Sequence, residues 1–599
     1  MVRHNWTRKV AIAGISAGCL VGQSLAGEYR NDTRFRDAVT AFVANSGQSA
    51  QASVLAKTAG GREAPLLQVA TPGDTPIEAR RAILLVGGID SDCPATAETA
   101  LDVITELVSQ AHAEADGPAA RLLHDYVIYV VPRLNPDGIE RFFEKPQQSS
   151  RLNGRAVDDD RDGLVNEDGP DDLDGDGVIS VMRVAEPGGE WMIDPEHPNL
   201  MRRADASKGE VGVYRILLEG RDDDNDGHMN EDGAGGVDPD RNWPHFYESG
   251  EIGVGAHQVS EPETLALARF VVDHPRIAAI IVYGRNDNIV SPPKGEQRDA
   301  AGVAYRDLHP DDVKLYAHIS EKYQELTGLK RSSKGDPRGA FYAWAYAQRG
   351  IPVLATSVWA PEADKPDDAK PADTSDADVA EGAADDDEAQ VENKPERRKK
   401  KDKSDDPEET DPVGLRVISN ADNQAAHGGA PLAGEWRPFD HPTLGRVELG
   451  GVAPFATTAP APEELDAIAK REATFVLDIA DRLPRLSLRD ATCKAIGPGV
   501  WEIELTLVND GYLPTRIGAA RLAECPPTIV RPDLPPERVL GGKRLERVPV
   551  LAGSGGAAKL RWLISGADGE TVTFIAGSVI DPEIRVEVKL AAADKEKAQ

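Results

Sequence analysis

Residues 80–115 read RRAILLVGGIDSDCPATAETALDVITELVSQAHAEA, and this stretch decides the fold. The run AILLV is apolar at every position, as in a strand covered on both faces. Gly87-Gly88 ends it, and the segment from Thr96 onward repeats apolar residues at i, i+3 and i+4, the mark of a helix. The same alternation returns in DYVIYVVPRLNPDG (125–138), ETLALARFVVDH (263–274), IAAIIVYG (277–284), DVKLYAHISEKYQELTG (312–328) and GIPVLATSVW (350–359). Strands of this kind separated by helices predict an α/β class: a mixed, mostly parallel sheet with helices on both faces. From about residue 485 the pattern changes to short alternating strands, as in WEIELTLVNDGYLPT and IRVEVKL, which predicts a small C-terminal β-sandwich.

The expected organisation is a signal peptide at 1–26, an α/β domain over 27–483 and a β-sandwich over 484–599. The signal rests on basic Arg3, Arg8 and Lys9, an apolar run at 10–22, and Ser24-Leu25-Ala26 as a cleavage site. That run falls short of the roughly 18 apolar residues a bilayer span needs. The expected address is therefore secreted or periplasmic, without a membrane span, and lipid anchoring at Cys19 stays open. Two insertions interrupt the α/β pattern. One, at 156–235, is rich in Asp and Gly. The other, at 362–412, holds fourteen acids against three bases from Glu362 to Glu396 and then RRKKKDK, so it is expected to be disordered. Over all 599 residues, 101 acids against 68 Lys and Arg give a net charge of -33, which excludes nucleic acid as a natural partner. Three cysteines follow the signal, Cys93, Cys493 and Cys525, with Cys493 to Cys525 the expected pair.

Within the first insertion, Asp158, Asp160 and Asp162 precede Gly163; Asp172, Asp174 and Asp176 precede Gly177; Asp222, Asp224 and Asp226 precede Gly227. Such D-x-D-x-D-G spacing wraps alternate carboxylates around a hard cation while Gly takes the tight turn, so calcium in a structural role is the expected cofactor. The twelfth position, where an EF-hand places Glu, holds Gly169, Arg183 and Gly233.

The motifs VGGID (86–90), LNPDG (134–138), GVDPDRNWP (236–244), SEPET (260–264), YGRNDNIVSPPKG (283–295) and GAFYAWAYAQRGIP (339–352) occur in an order that resembles the zinc metallocarboxypeptidases of the carboxypeptidase A and T type. The resemblance implies a zinc held by His and Glu in an H-x-x-E motif and by a later His, with a Glu near the last strand as general base. Transferred to this chain, the zinc-ligand positions are Asp90, Cys93 and Gly284, and the general-base position is Ser357. The family's Asn-Arg pair for the substrate carboxylate falls on Asp240 and Arg241, and Arg151 or Arg155 stands where an oxyanion-stabilising Arg is expected. Two metal-capable ligands fall short of the three that hold a catalytic zinc. The expected function is thus a secreted, calcium-stabilised relative without peptidase activity that binds a peptide or cell-envelope component. The alternative is an active metallocarboxypeptidase with a displaced or unusual metal site, and a third reading is a purely structural envelope protein.

Overall fold

The structure is a computed structural model. It describes residues 28–591 except 158–170, 196, 197, 200, 223–228, 230–235, 252, 294–307, 334, 361–432, 453, 522 and 524. The signal peptide, the charged insertion at 362–412 and the first acidic loop (Asp158, Asp160, Asp162), together with Asp224 and Asp226, lie outside the described residues.

In chain order the strands are β1 (Ala50–Lys57), β2 (Glu63–Val69), β3 (Arg81–Val86), β4 (Tyr126–Val131), β5 (Val181–Ala185), β6 (Trp191–Ile193), β7 (Met201–Arg203), β8 (Tyr214–Leu218), β9 (Ile277–Tyr283), β10 (Val353–Thr356), β11 (Ala433–His441) and β12 (Gly445–Val452). The main sheet has the order β1-β2-β4-β3-β9-β10. Its β4, β3, β9 and β10 run parallel, and the β1-β2 hairpin adds an antiparallel edge. Every residue of β3, β9 and β10 is buried, as their unbroken apolar runs require. The helices α1 (Asp32–Asn45), α2 (Ala95–Ala113), α3 (Pro118–Asp125), α4 (Pro136–Glu140), α5 (Pro262–Asp273), α6 (Val313–Thr327), α7 (Phe341–Arg349) and α8 (Leu465–Arg482) cover its faces. One continuous core joins sheet and helices, with Trp243, Tyr283, Tyr316, Tyr323, Phe341 and Phe475 among its largest fully buried side chains.

The two glycines after β3 are demanded by packing. A side chain at Gly87 would lie 2.5 Å from the carbonyl oxygen of Thr96, and one at Gly88 would lie 2.8 Å from Ile139. Gly88 also has φ 58, which suits only glycine without cost. The first turn of α2 can therefore sit directly against the strand end.

A second six-stranded sheet, of order β11-β12-β5-β8-β6-β7, stands apart from the main one. The α/β pattern was expected to resume at 413–483. Instead, residues 433–452 pair with the first insertion through β12 and β5, and only α8 returns to the main core. The reason is apolar: Val447 and Leu449 bury against Met182 and Met229 in a small core of their own.

The chain closes with β13 (Leu486–Gly497), β14 (Val500–Asn509), β15 (Thr528–Pro532), β16 (Val539–Gly541), β17 (Glu546–Val548), β18 (Gly556–Ser565), β19 (Thr571–Gly577) and β20 (Ile584–Lys589). These form two four-stranded sheets, β13-β14-β18-β16 and β17-β15-β19-β20, around Trp501, Ile503, Trp562 and Phe574. The sandwich is fastened to the α/β unit by Arg81, whose Nη2 lies 2.5 Å from Asp581, and by Asp312, which accepts the backbone N–H groups of Gly518 and Ala519. The expected Cys493 to Cys525 bridge does not form, and none of Cys93, Cys493 and Cys525 is in a disulfide. Cys493 packs against the sandwich core, whereas Cys525 packs against the α/β core and donates to the Arg349 carbonyl.

Candidate functional site

In an open α/β sheet the natural site is the crevice beyond the carboxyl ends of the strands. The structure brings the substituted positions together there. Asp90 follows β3, Gly284 follows β9 and Ser357 follows β10. The Gly284 N–H donates to the Thr356 carbonyl at 3.0 Å, and the Cys93 N–H donates to the Asp90 carbonyl at 3.1 Å. A side chain at Gly284 would lie 2.7 Å from Asp90 Oδ2.

The crevice is occupied by the chain's own charges. Asp90 Oδ2 accepts the Arg285 N–H at 2.6 Å, and the Arg285 guanidinium pairs with Asp92. Asp238 pairs with Arg151 at 3.3 Å. Asp240 accepts from Phe341 N–H at 2.8 Å and from Asn286 Nδ2 at 2.7 Å. Asp90, Asp92, Asp238 and Asp240 are all buried. Burial, with Asp238 nearby, pushes the Asp90 carboxyl up from its ordinary range. Burial and the charge of Asp90 push Asp240 well above it.

Ser357 Oγ donates to the Trp359 carbonyl and accepts the Ser333 N–H at 3.2 Å; Ser333 Oγ in turn donates to the Arg285 carbonyl. The stretch around Ser333 is thereby tied across the strand ends. Val358, next to Ser357, has φ 59, and Val259 has φ 48. A β-branched residue in the left-handed region costs of order 1–3 kcal/mol, a cost that persists only where surrounding structure enforces it.

The other anticipated site residues also have partners. Arg155 Nε pairs with the fully buried Glu261 at 2.7 Å. Arg241 lies 3.7 Å from Glu248, which also receives Arg338 at 2.6 Å. Asp238, close to Arg241 in the chain, faces Arg151 instead. The residues that sequence reasoning missed are Arg285 and Asn286. Both stand in the quoted YGRNDN motif, and a charged Arg one residue past a vanished metal ligand was the available signal.

Behind the crevice sits a second polar group in the core. Glu472 Oε1 accepts from Tyr323 OH at 2.6 Å, and Tyr323 OH lies 3.0 Å from Thr356 Oγ1. Burial pushes the Glu472 carboxyl up to about 7. A carboxyl raised in the folded state binds its proton more tightly there than in the unfolded chain. Stability should therefore fall as pH rises from the ordinary glutamate range through about 7, and level off above. Glu472→Gln should flatten that slope and stabilise the protein at alkaline pH by roughly 3 kcal/mol. Urea midpoints measured across this pH range check it; an unchanged slope counts against a protonated Glu472.

A hard cation fits one place among the described residues. Carboxylate oxygens of Asp172, Asp174 and Asp176 lie within 4.8 Å of one another. Asp172 accepts backbone N–H groups from Gly175, Asp176 and Gly177, which curls the loop, and Arg437 of β11 sits 2.8 Å from both Asp174 and Asp176. A zinc ion, by contrast, does not fit the crevice. Gly284 offers no side-chain atom, Asp90 Oδ2 already accepts the Arg285 N–H, and no group of three metal-capable side chains converges there among the described residues.

The family model described as zinc carboxypeptidase matches residues 37–175. Residues 37–175 are thus similar to the zinc carboxypeptidase family. A second family model, described as a domain of unknown function, matches residues 485–589. No curated protein matches in sequence. Similar solved structures include thrombin activatable fibrinolysis inhibitor, at 14% identity over 55% of this chain and 66% of that one with TM-score 0.34. Carboxypeptidase A from Helicoverpa armigera has 11% identity over 56% and 65%, with TM-score 0.35. A metallo-carboxypeptidase from Pseudomonas aeruginosa has 10% identity over 54% and 59%, with TM-score 0.27. The chain thus spans 59–66% of the length of these three. No helix among the described residues is long and apolar enough to cross a membrane.

Proposed function

We propose that this is an extracytoplasmic carboxypeptidase-type protein without zinc-dependent peptidase activity, stabilised by calcium, that binds a peptide or cell-envelope component. One observation carries the reading: Arg285 and Asp90 hold each other at the point where a metal and its later His would sit, and Gly284 leaves no room for that His beside Asp90. A fold that has exchanged its reacting groups for internal ion pairs keeps a shape without keeping the chemistry. Arg241, which lies 3.7 Å from Glu248, is the basic group retained at the position of the substrate-carboxylate Arg, with Asp240 beside it tied to Phe341 and Asn286. Elemental analysis of the purified chain should find calcium and no stoichiometric zinc, and peptides ending in Arg, Lys, Phe or Glu should not be shortened. Stoichiometric zinc with release of the C-terminal residue would instead establish the active alternative.

Calcium is assigned to Asp172, Asp174 and Asp176, with the loops beginning at Asp158 and Asp222 as further copies of the same spacing. Free calcium outside the cytoplasm is abundant enough for weak sites of this kind. On entry it would take over carboxylates that Arg437 now neutralises. The melting temperature should rise with added calcium and fall in excess chelator. A melting curve that does not move in chelator would remove calcium from the reading.

A further inference from the structure

The second sheet has two unlike faces. Met182 lies opposite Leu217 and Leu449, so these residues share the face that buries the small core. Arg183 therefore points to the other face, together with its direct partners Ile216 and Glu448. Tyr214 lies opposite Ala185, two residues from Arg183, and also opposite Trp191, which in turn lies opposite Arg203. All of these side chains share one surface.

On it, aromatic rings and guanidinium groups alternate across the strands. Arg203 stacks over Trp191 at 5.1 Å, and Arg183 is clamped between Tyr214 at 5.2 Å and Trp436 at 4.4 Å. Trp191 and Tyr214, as directly opposed residues, stand side by side on this surface. The three rings are only partly buried, although this chain is just 5% aromatic and has no need of its few aromatics on a solvent face. Beside Trp191 a cavity of about 380 Å³ opens, lined by the backbone of Gly188, Gly189 and Gly212 and by Glu190 and Arg203.

The charge on this surface is balanced. Arg183 pairs with Glu448 at 2.8 Å, and Arg203 lies 3.7 Å from Glu190. A neutral row of rings selects against polyanions, and the net charge of -33 adds to that. The chemistry that matches it is an uncharged ligand with flat apolar faces and hydroxyl-bearing edges: C–H faces against the rings, hydroxyls toward the Arg and Glu groups at the rim.

We infer that the outer face of this sheet is a glycan-binding platform, on which the sugar rings of an uncharged polysaccharide stack along Trp191, Tyr214 and Trp436. This is independent of the crevice at Asp90, which it neither uses nor requires.

The test is calorimetric titration of the full chain with tetra-N-acetylchitotetraose and with cellotetraose, and with a ten-residue polyproline peptide as the competing macromolecular class. Saturable binding of at least one tetrasaccharide is expected. Trp191→Ala should weaken it roughly tenfold or more, whereas Trp191→Phe, which keeps a stacking face, should retain most of it. Melting curves of both variants show that the sheet remains folded. Arg203→Ala, at an exposed position, supplies a second variant that leaves the small core untouched and should also weaken binding. Binding of neither sugar, binding unchanged in Trp191→Ala and Arg203→Ala, or binding of polyproline in place of the sugars would each overturn the inference.

Discussion

Replacing Glu98 by Ala is expected to cost about 3–5 kcal/mol. Glu98 lies on α2, buried to 1% exposure, and one carboxylate serves two buried arginines. Its Oε1 accepts from the Arg30 N–H and from Arg133 Nη2, both at 2.9 Å, and its Oε2 accepts from Arg30 Nη1 at 2.5 Å. Arg133 stacks over Phe35 at 3.7 Å, and Arg30 also reaches Asp102 at 3.2 Å. Removing the carboxylate leaves two guanidinium groups in the core, Arg30 with Asp102 and Arg133 with the Arg30 carbonyl, and neither with a full counter-charge. That is the situation in which breaking a buried pair is costly, because the remaining charge cannot reach water. Replacing Arg30, Glu98 and Arg133 together by apolar residues of similar volume should cost far less than Glu98→Ala alone. Chemical denaturation of the two variants beside the native chain decides it. A loss below about 1 kcal/mol for Glu98→Ala would mean that water or a rearranged Asp102 supports the arginines.

This cluster also marks where sequence reading stops. Glu98, Arg133 and Arg30 are far apart in the chain, and no periodicity announces that an acid on the first turn of α2 faces inward. The apolar runs of β3, β9 and β10 were legible because burial on both faces leaves an uninterrupted apolar string. The sandwich was legible from its alternation, and the positions of Asp90, Gly284 and Ser357 from short motifs at strand ends. The second sheet was not, since β12 pairs with β5 across more than 250 residues of sequence and its strands carry Gly450 and Gly451 where a strand pattern would be sought. The filling of the crevice escaped for a similar reason. Motif comparison asks what stands at each ligand position, and Arg285 and Asp92 stand beside those positions rather than on them.

Restoring zinc chemistry is expected to require at least four changes at once, and the structure indicates how single steps fail. Gly284→His alone should destabilise the fold, since its new Cβ lies 2.7 Å from Asp90 Oδ2, and the carboxylate there is pinned by Arg285. Asp90→His with Cys93→Glu supplies two ligands and releases the Arg285 N–H, which should allow weak zinc binding without hydrolysis. Adding Gly284→His to that pair completes the ligand set, now without the opposing carboxylate. Only the further change Ser357→Glu gives the bound water a base, and that side chain has to displace the Ser333 N–H now resting on Ser357 Oγ. Asp240 would still stand where the resemblance places an Asn, so Asp240→Asn should raise turnover further. An Asn there can keep the Phe341 N–H bond but must turn its amide to do so. The measurement is zinc-dependent release of a C-terminal residue by the native chain and by each successive variant, with zinc content determined in parallel. Release should be absent from every set that lacks one of the four changes, because the three ligands and the base act as one unit and their effects do not add. Turnover by the native chain at roughly 1 to 1,000 per second, the range of ordinary enzymes, would mean that a metal is held by residues other than Asp90 and Cys93, and that the ion pairs closing the crevice open in solution.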